Sequence, residues 1–109
     1  MAAGYLDGGF FVIYTEQGPL TAKGYADALA FARTRSDTID RELAKFPDLI
    51  RPATTVAEAE RLAAAGKLIA FKAIENSYPL GEDLGLLQDF YDRGVRMAGP
   101  VHSSTNQLA

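Results

Sequence analysis

From Leu68 to Ile74 the chain reads Leu-Ile-Ala-Phe-Lys-Ala-Ile, and Lys72 alone is polar. A run this apolar, without alternation, describes a strand covered on both faces, as strands are in parallel sheets. Residues 8–15 read the same way through Phe10, Phe11, Val12, Ile13 and Tyr14. Between the two lie helical patterns. Thr21 can cap a helix over about residues 22–46, where Tyr25, Leu29, Ala32, Ser36, Ile39, Leu43 and Phe46 step by four and three. That stripe is apolar except at Ser36, with Asp37, Asp40, Arg41, Glu42 and Lys45 on the solvated side and Pro47 as the stop. Thr55 and Glu58 match a capping box, and Gly66 the glycine that ends a helix. Residues 81–94 predict a further helix. Leu84, Leu87 and Tyr91 lie along one face, Leu86 and Phe90 widen it, and Gly94 closes it. Residues 95–102 predict a third strand ending on His102. Strands separated by helices pair in parallel through right-handed crossovers, so the fold class is α/β, with about three parallel strands and covering helices.

Composition removes several functions. With 48% hydrophobic and 23% charged residues the chain is too apolar for disorder. A net charge of −3 gives neither a basic footprint for nucleic acid nor a polybasic membrane patch. The absence of cysteine excludes a disulfide framework and a thiolate metal site. No apolar run reaches the roughly 18 residues of a membrane span, and residues 1–9 have no signal-peptide pattern.

The chemistry gathers at strand ends. The run from Leu68 stops on Glu75, and the strand predicted over 95–102 stops on His102. One crossover helix places both at the carboxyl end of the sheet, where α/β proteins bind ligands. A carboxylate beside an imidazole can ligate a metal or exchange protons. Each also has a plain use: Glu75 as a loop or helix-cap acceptor, His102 as a partner for the Ser103–Asn106 loop. Lys72 is expected to pair with a carboxylate or reach solvent, and Asp7–Gly9 is a turn without the lysine of a phosphate loop.

"AIEN" at 73–76 followed by "PLGEDLGLLQDFYDRGVRMAGPVHSSTNQLA" at 79–109 resembles the membrane (renal) dipeptidase family, the M19 zinc peptidases. The pattern is a strand ending in Ile-Glu, a short loop, a helix of Asp-Leu-x-Leu-Leu-x-x-Phe-Tyr type, Gly-Val-Arg, a strand, then His with Asn and Ala downstream. "YLDGGFFVIYT" at 5–15 is similar to an earlier barrel strand, and 20–65 is the weakest part. The resemblance implies a sector of a TIM-like (β/α)8 barrel forming a single segment over 1–109. It implies hydrolysis of dipeptides by a metal-bound hydroxide, with two zinc ions. Glu75 falls at the position of the glutamate that bridges the zincs. His102 falls at that of the histidine that contacts the substrate and stabilises the tetrahedral intermediate. The family's His-x-Asp, its two later zinc-binding histidines and its late aspartate have no counterpart, and His102 is the one histidine here. The expectation is therefore an internal piece of a longer barrel, inactive alone, that self-associates or depends on the missing segments. The alternative is a non-catalytic α/β module that self-associates to complete its sheet.

Overall fold

The computed structural model describes residues 1–109 apart from the side chain of Ala2. Its elements run β1 (Gly8–Tyr14), α1 (Ala22–Ala44), β2 (Ile50–Pro52), α2 (Val56–Ala64), β3 (Leu68–Glu75), α3 (Leu86–Asp92) and β4 (Val95–Ala98). The apolar run from Leu68 is the centre of the sheet. β1 pairs with it in parallel along its whole length, from Gly8 opposite Ile69 to Tyr14 opposite Glu75. Two short strands share its other edge. β2 lies against Leu68–Ala70 and β4 against Lys72–Ile74, both parallel.

Two strand expectations are corrected here. The sheet has four strands, because Ile50-Arg51-Pro52 also pairs. Three residues carrying a charge and a proline show no strand periodicity, and the proline is tolerated because β2 has a partner on one side alone. The last strand stops at Ala98, not at His102. Gly99 still donates to the Ile74 carbonyl at 2.9 Å. Pro100 has no N–H to continue the ladder, so Val101 and His102 lie in a loop.

α1 covers one face of the sheet. Thr21 caps it, its hydroxyl accepting from the Gly24 N–H at 3.1 Å. The stripe buries Ala32, Ser36, Ile39 and Leu43 against a core of Ile13, Ile50, Ala70, Ile74, Phe90 and Val95. Ser36, the polar break in that stripe, meets Lys72, the polar break in the β3 run. The Lys72 ammonium donates to Ser36 Oγ at 3.1 Å and stands 2.8 Å from Asp40. The stripe ends sooner than predicted, since the helix stops at Ala44 and Phe46 is exposed.

The predicted face of α3 is also corrected. Phe90 is buried and Leu86 half-buried, whereas Leu84, Leu87 and Tyr91 are exposed. Leu86/Phe90 and Leu87/Tyr91 are both i, i+4 pairs, and periodicity cannot say which one meets the sheet. The helix begins only at Leu86, which leaves Leu84 in the preceding turn.

On the opposite face of the sheet, register partners Phe10 and Phe71 stack with ring centroids 5.3 Å apart. Phe10, Tyr14 and Met97 remain substantially exposed there. Among the described residues no helix is long and apolar enough to cross a membrane.

Candidate active site

Parallel pairing brings the carboxyl ends of β1, β3 and β4 to one end of the sheet. Glu75 is the last residue of β3, and Tyr14, its register partner, the last of β1. The loop after β4 returns over this end and delivers His102. The imidazole Nδ1 stands 2.5 Å from Glu75 Oε1, and the Tyr14 ring meets the imidazole edge-on at 5.1 Å. Both side chains are partly open to solvent, at 45% for His102 and 43% for Glu75. Nδ1 is the ring nitrogen that faces the carboxylate, which leaves Nε2 for another partner.

The backbone around Glu75 is held by polar groups that the sequence reading did not single out. Asn76 turns the chain out of the sheet in the left-handed region, φ 67°, where Asn is among the more tolerant non-glycine residues. Thr15 Oγ1 donates to the Asn76 carbonyl at 3.3 Å, and the Asn76 amide donates to Thr15 O at 3.0 Å. Ser77 donates through Oγ to Gly99 O at 2.8 Å and through its N–H to Pro100 O at 3.2 Å. The signal available in advance was an Asn-Ser pair directly after a strand-ending carboxylate. Tyr78 and Pro79 form a buried 3-10 turn. The Tyr78 hydroxyl donates to Pro19 O at 2.6 Å. Burial first, then Tyr25 and Asp27 nearby, push its phenol above the ordinary value.

A resident metal would need more donors than these. A closed zinc site takes three or four protein ligands. Among the described residues no group of three or more His, Cys, Asp or Glu side chains converges. Glu75 and His102 can supply a share of a site, not a whole one, and the Glu75 oxygen facing His102 is already engaged.

A parallel α/β sheet with a carboxylate and an imidazole meeting at its carboxyl end has its polar groups where α/β proteins bind ligands. The family model for membrane dipeptidase, peptidase family M19, matches residues 1–109, and the chain belongs to that family. Among the solved structures that share its fold are three peptidases. A dipeptidase AC, described as a family M19 metallopeptidase, is 26% identical with a TM-score of 0.84, over 97% of this chain and 33% of that one. The probable dipeptidase PvdM from Pseudomonas aeruginosa is 28% identical with a TM-score of 0.84, over 96% of this chain and 27% of that one. A metallopeptidase from Rhodobacter sphaeroides, liganded with a phosphinate mimic of the dipeptide L-Ala-D-Ala, is 22% identical with a TM-score of 0.82, over 97% of this chain and 36% of that one. The chain thus spans about a third of the length of the structures it matches.

Proposed function

We propose that these residues form one sector of a zinc-dependent dipeptidase barrel, single over 1–109. In this reading Glu75 supplies a carboxylate that bridges two zinc ions and His102 contacts the dipeptide. The observation that carries it is the convergence of the two side chains at the carboxyl end of the parallel sheet. The dipeptide mimic bound by the Rhodobacter sphaeroides protein supports the substrate class. The remaining ligands come from outside these residues, so the 109-residue chain alone turns over no dipeptide, with or without zinc.

The test is a graft. Residues 1–109 replace the matching third of the 26%-identical dipeptidase, and hydrolysis of simple dipeptides is followed with zinc present. The expected result is an active graft. His102→Ala should lower kcat by about 10²–10³, the usual effect of removing an oxyanion donor, and Glu75→Gln should weaken zinc retention as well as turnover. An active graft indifferent to both substitutions would refute the assigned roles. A second reading, a non-catalytic module that completes its sheet by self-association, is favoured by the exposed Phe10, Tyr14 and Met97.

A further inference from the structure

We propose that Asn76 and Asn106 are positioning residues, a pair of buried side-chain amides that hold the imidazole of His102 over the Glu75 carboxylate. The proposal rests on reading Glu75 and His102 as working groups of the site. His102 is nearly half exposed, so packing alone does not fix it. It lies in a loop whose two ends converge on one atom. Pro100 O accepts the Ser77 N–H at 3.2 Å and the Asn106 amide at 2.7 Å. The segment 100–106 is therefore closed on itself and tied to the chain that follows Glu75.

The Asn106 side chain uses its whole hydrogen-bonding capacity. Its Nδ2 donates to Pro100 O and, at 3.0 Å, to Asn76 Oδ1. Its Oδ1 accepts from the Leu108 N–H at 2.8 Å and the Ala109 N–H at 3.2 Å. Asn76 continues the chain of amides, its Nδ2 donating to Thr15 O at 3.0 Å and to Gln17 Oε1 at 3.3 Å. The ends of β1 and β3 and the His102 loop are thus joined through two side chains, Asn76 at 1% exposure and Asn106 at 5%. Asn76 is also the residue next to Glu75. One amide pair therefore sets where the carboxylate leaves the sheet and where the loop carrying the imidazole returns.

Because His102 is the one histidine in the chain, histidine labelling gives a single imidazole to follow by NMR in the 109-residue protein. The unaltered chain should show nuclear Overhauser cross-peaks between that imidazole and the Tyr14 ring. Asn76→Gly keeps the left-handed backbone and deletes the amide. Asn106→Asp keeps an acceptor for Leu108 and Ala109 but cannot donate to Asn76 or Pro100. Both should lose the cross-peaks while the amide signals of β1 and β3 stay in place. Cross-peaks that survive in Asn76→Gly and Asn106→Asp would overturn the proposal, as would their absence from the unaltered chain. Collapse of the β1 and β3 signals in both variants would also overturn it, by making the amides structural. No catalysis is read here, so an inactive graft leaves this result untouched, and a failed clamp leaves the dipeptidase reading standing.

Discussion

Tyr78 is 2% exposed, and its hydroxyl donates to the Pro19 carbonyl, while its ring packs edge-on against Tyr25 at 5.4 Å. Tyr78→Phe keeps the packing and removes this bond, leaving the Pro19 carbonyl with the Thr21 N–H as its donor. It should cost about 1 kcal/mol, the net value of a typical hydrogen bond, read from the urea midpoint. The same burial raises the phenol pKa above 10.0, so the folded state holds this proton more tightly than the unfolded chain does. The sign follows from linkage. The contribution is fully present below pH 10 and is lost as pH rises through the raised value. Urea midpoints measured from pH 8 to pH 11 should fall more steeply in the unaltered protein than in Tyr78→Phe; equal slopes would show that Tyr78 titrates as an exposed phenol. Residues of this kind were only partly legible in the sequence. Ser36 and Lys72 stood out as the single polar break in two apolar patterns, and for Lys72 either a carboxylate partner or a reach to solvent was expected. That Ser36 and Lys72 meet was not visible, because periodicity assigns a residue to a face and does not say what that face covers. Glu75 was legible as strand-end chemistry and His102 as its neighbour at that end of the sheet, though it lies in the loop beyond β4, whereas Asn76 and Asn106 looked like ordinary loop residues until the two loops were brought together.

At the scale of elements, the start of α2 is the clearest case of sequence dictating structure. Thr55 Oγ1 accepts from the Glu58 N–H at 3.1 Å, and the Glu58 carboxylate accepts from the Thr54 N–H at 2.7 Å, the Thr54 hydroxyl at 2.9 Å and the Thr55 N–H at 3.2 Å. Thr55→Ala should destabilise by about 1 kcal/mol, as removal of an N-cap does. The Thr54 N–H, then its hydroxyl, hold the Glu58 carboxyl below its ordinary 4.5. Its contribution is therefore present above pH 4.5 and lost as pH falls through the lowered value. Acid titration of the thermal midpoint should show a shallower decline in Glu58→Gln than in the unaltered chain, and parallel declines would remove Glu58 from the acid response. Helix ends were readable because a cap is a local device: Thr21, Thr55 and Gly66, which sits at φ +72°, each act within one turn. β2 was not readable, because its pairing is supplied by residues 68–70 and nothing in Ile50-Arg51-Pro52 demands a strand. The buried face of α3 was misread because its two apolar pairs are equivalent along the helix and only the sheet distinguishes them.

At the scale of the whole molecule the sheet is open. β1 and β4 each pair with β3 alone, so the outer backbone edge of both faces away from the sheet. The shape follows: extents are 46 × 23 × 22 Å and the radius of gyration is 15.1 Å, against about 13 Å for a compact chain of this length. The accessible surface is 6571 Å², where about 5,900 Å² is usual for a folded monomer of this mass. The excess is partly apolar. Phe10 is 46% exposed, Met97 49% and Tyr14 40% on one face of the sheet, and Leu87 and Tyr91 stand open beside β4. Full burial of one such side chain is worth roughly 1.5–3 kcal/mol, so three or four half-covered ones forfeit several kcal/mol. That rivals the total stability of a domain this size, about 5–15 kcal/mol. Unpaired edges beside uncovered apolar side chains are the condition under which sheets add strands from another chain. The 109-residue chain is therefore expected to self-associate in solution, with a melting temperature that rises with protein concentration as association is linked to folding. Size-exclusion chromatography with light scattering, from micromolar to near-millimolar protein, decides it. A monomeric mass across that range, with a sharp melt independent of concentration, would mean that the core of Ile13, Ala32, Ile39, Ile74 and Phe90 suffices alone and that the open face costs less than its area implies.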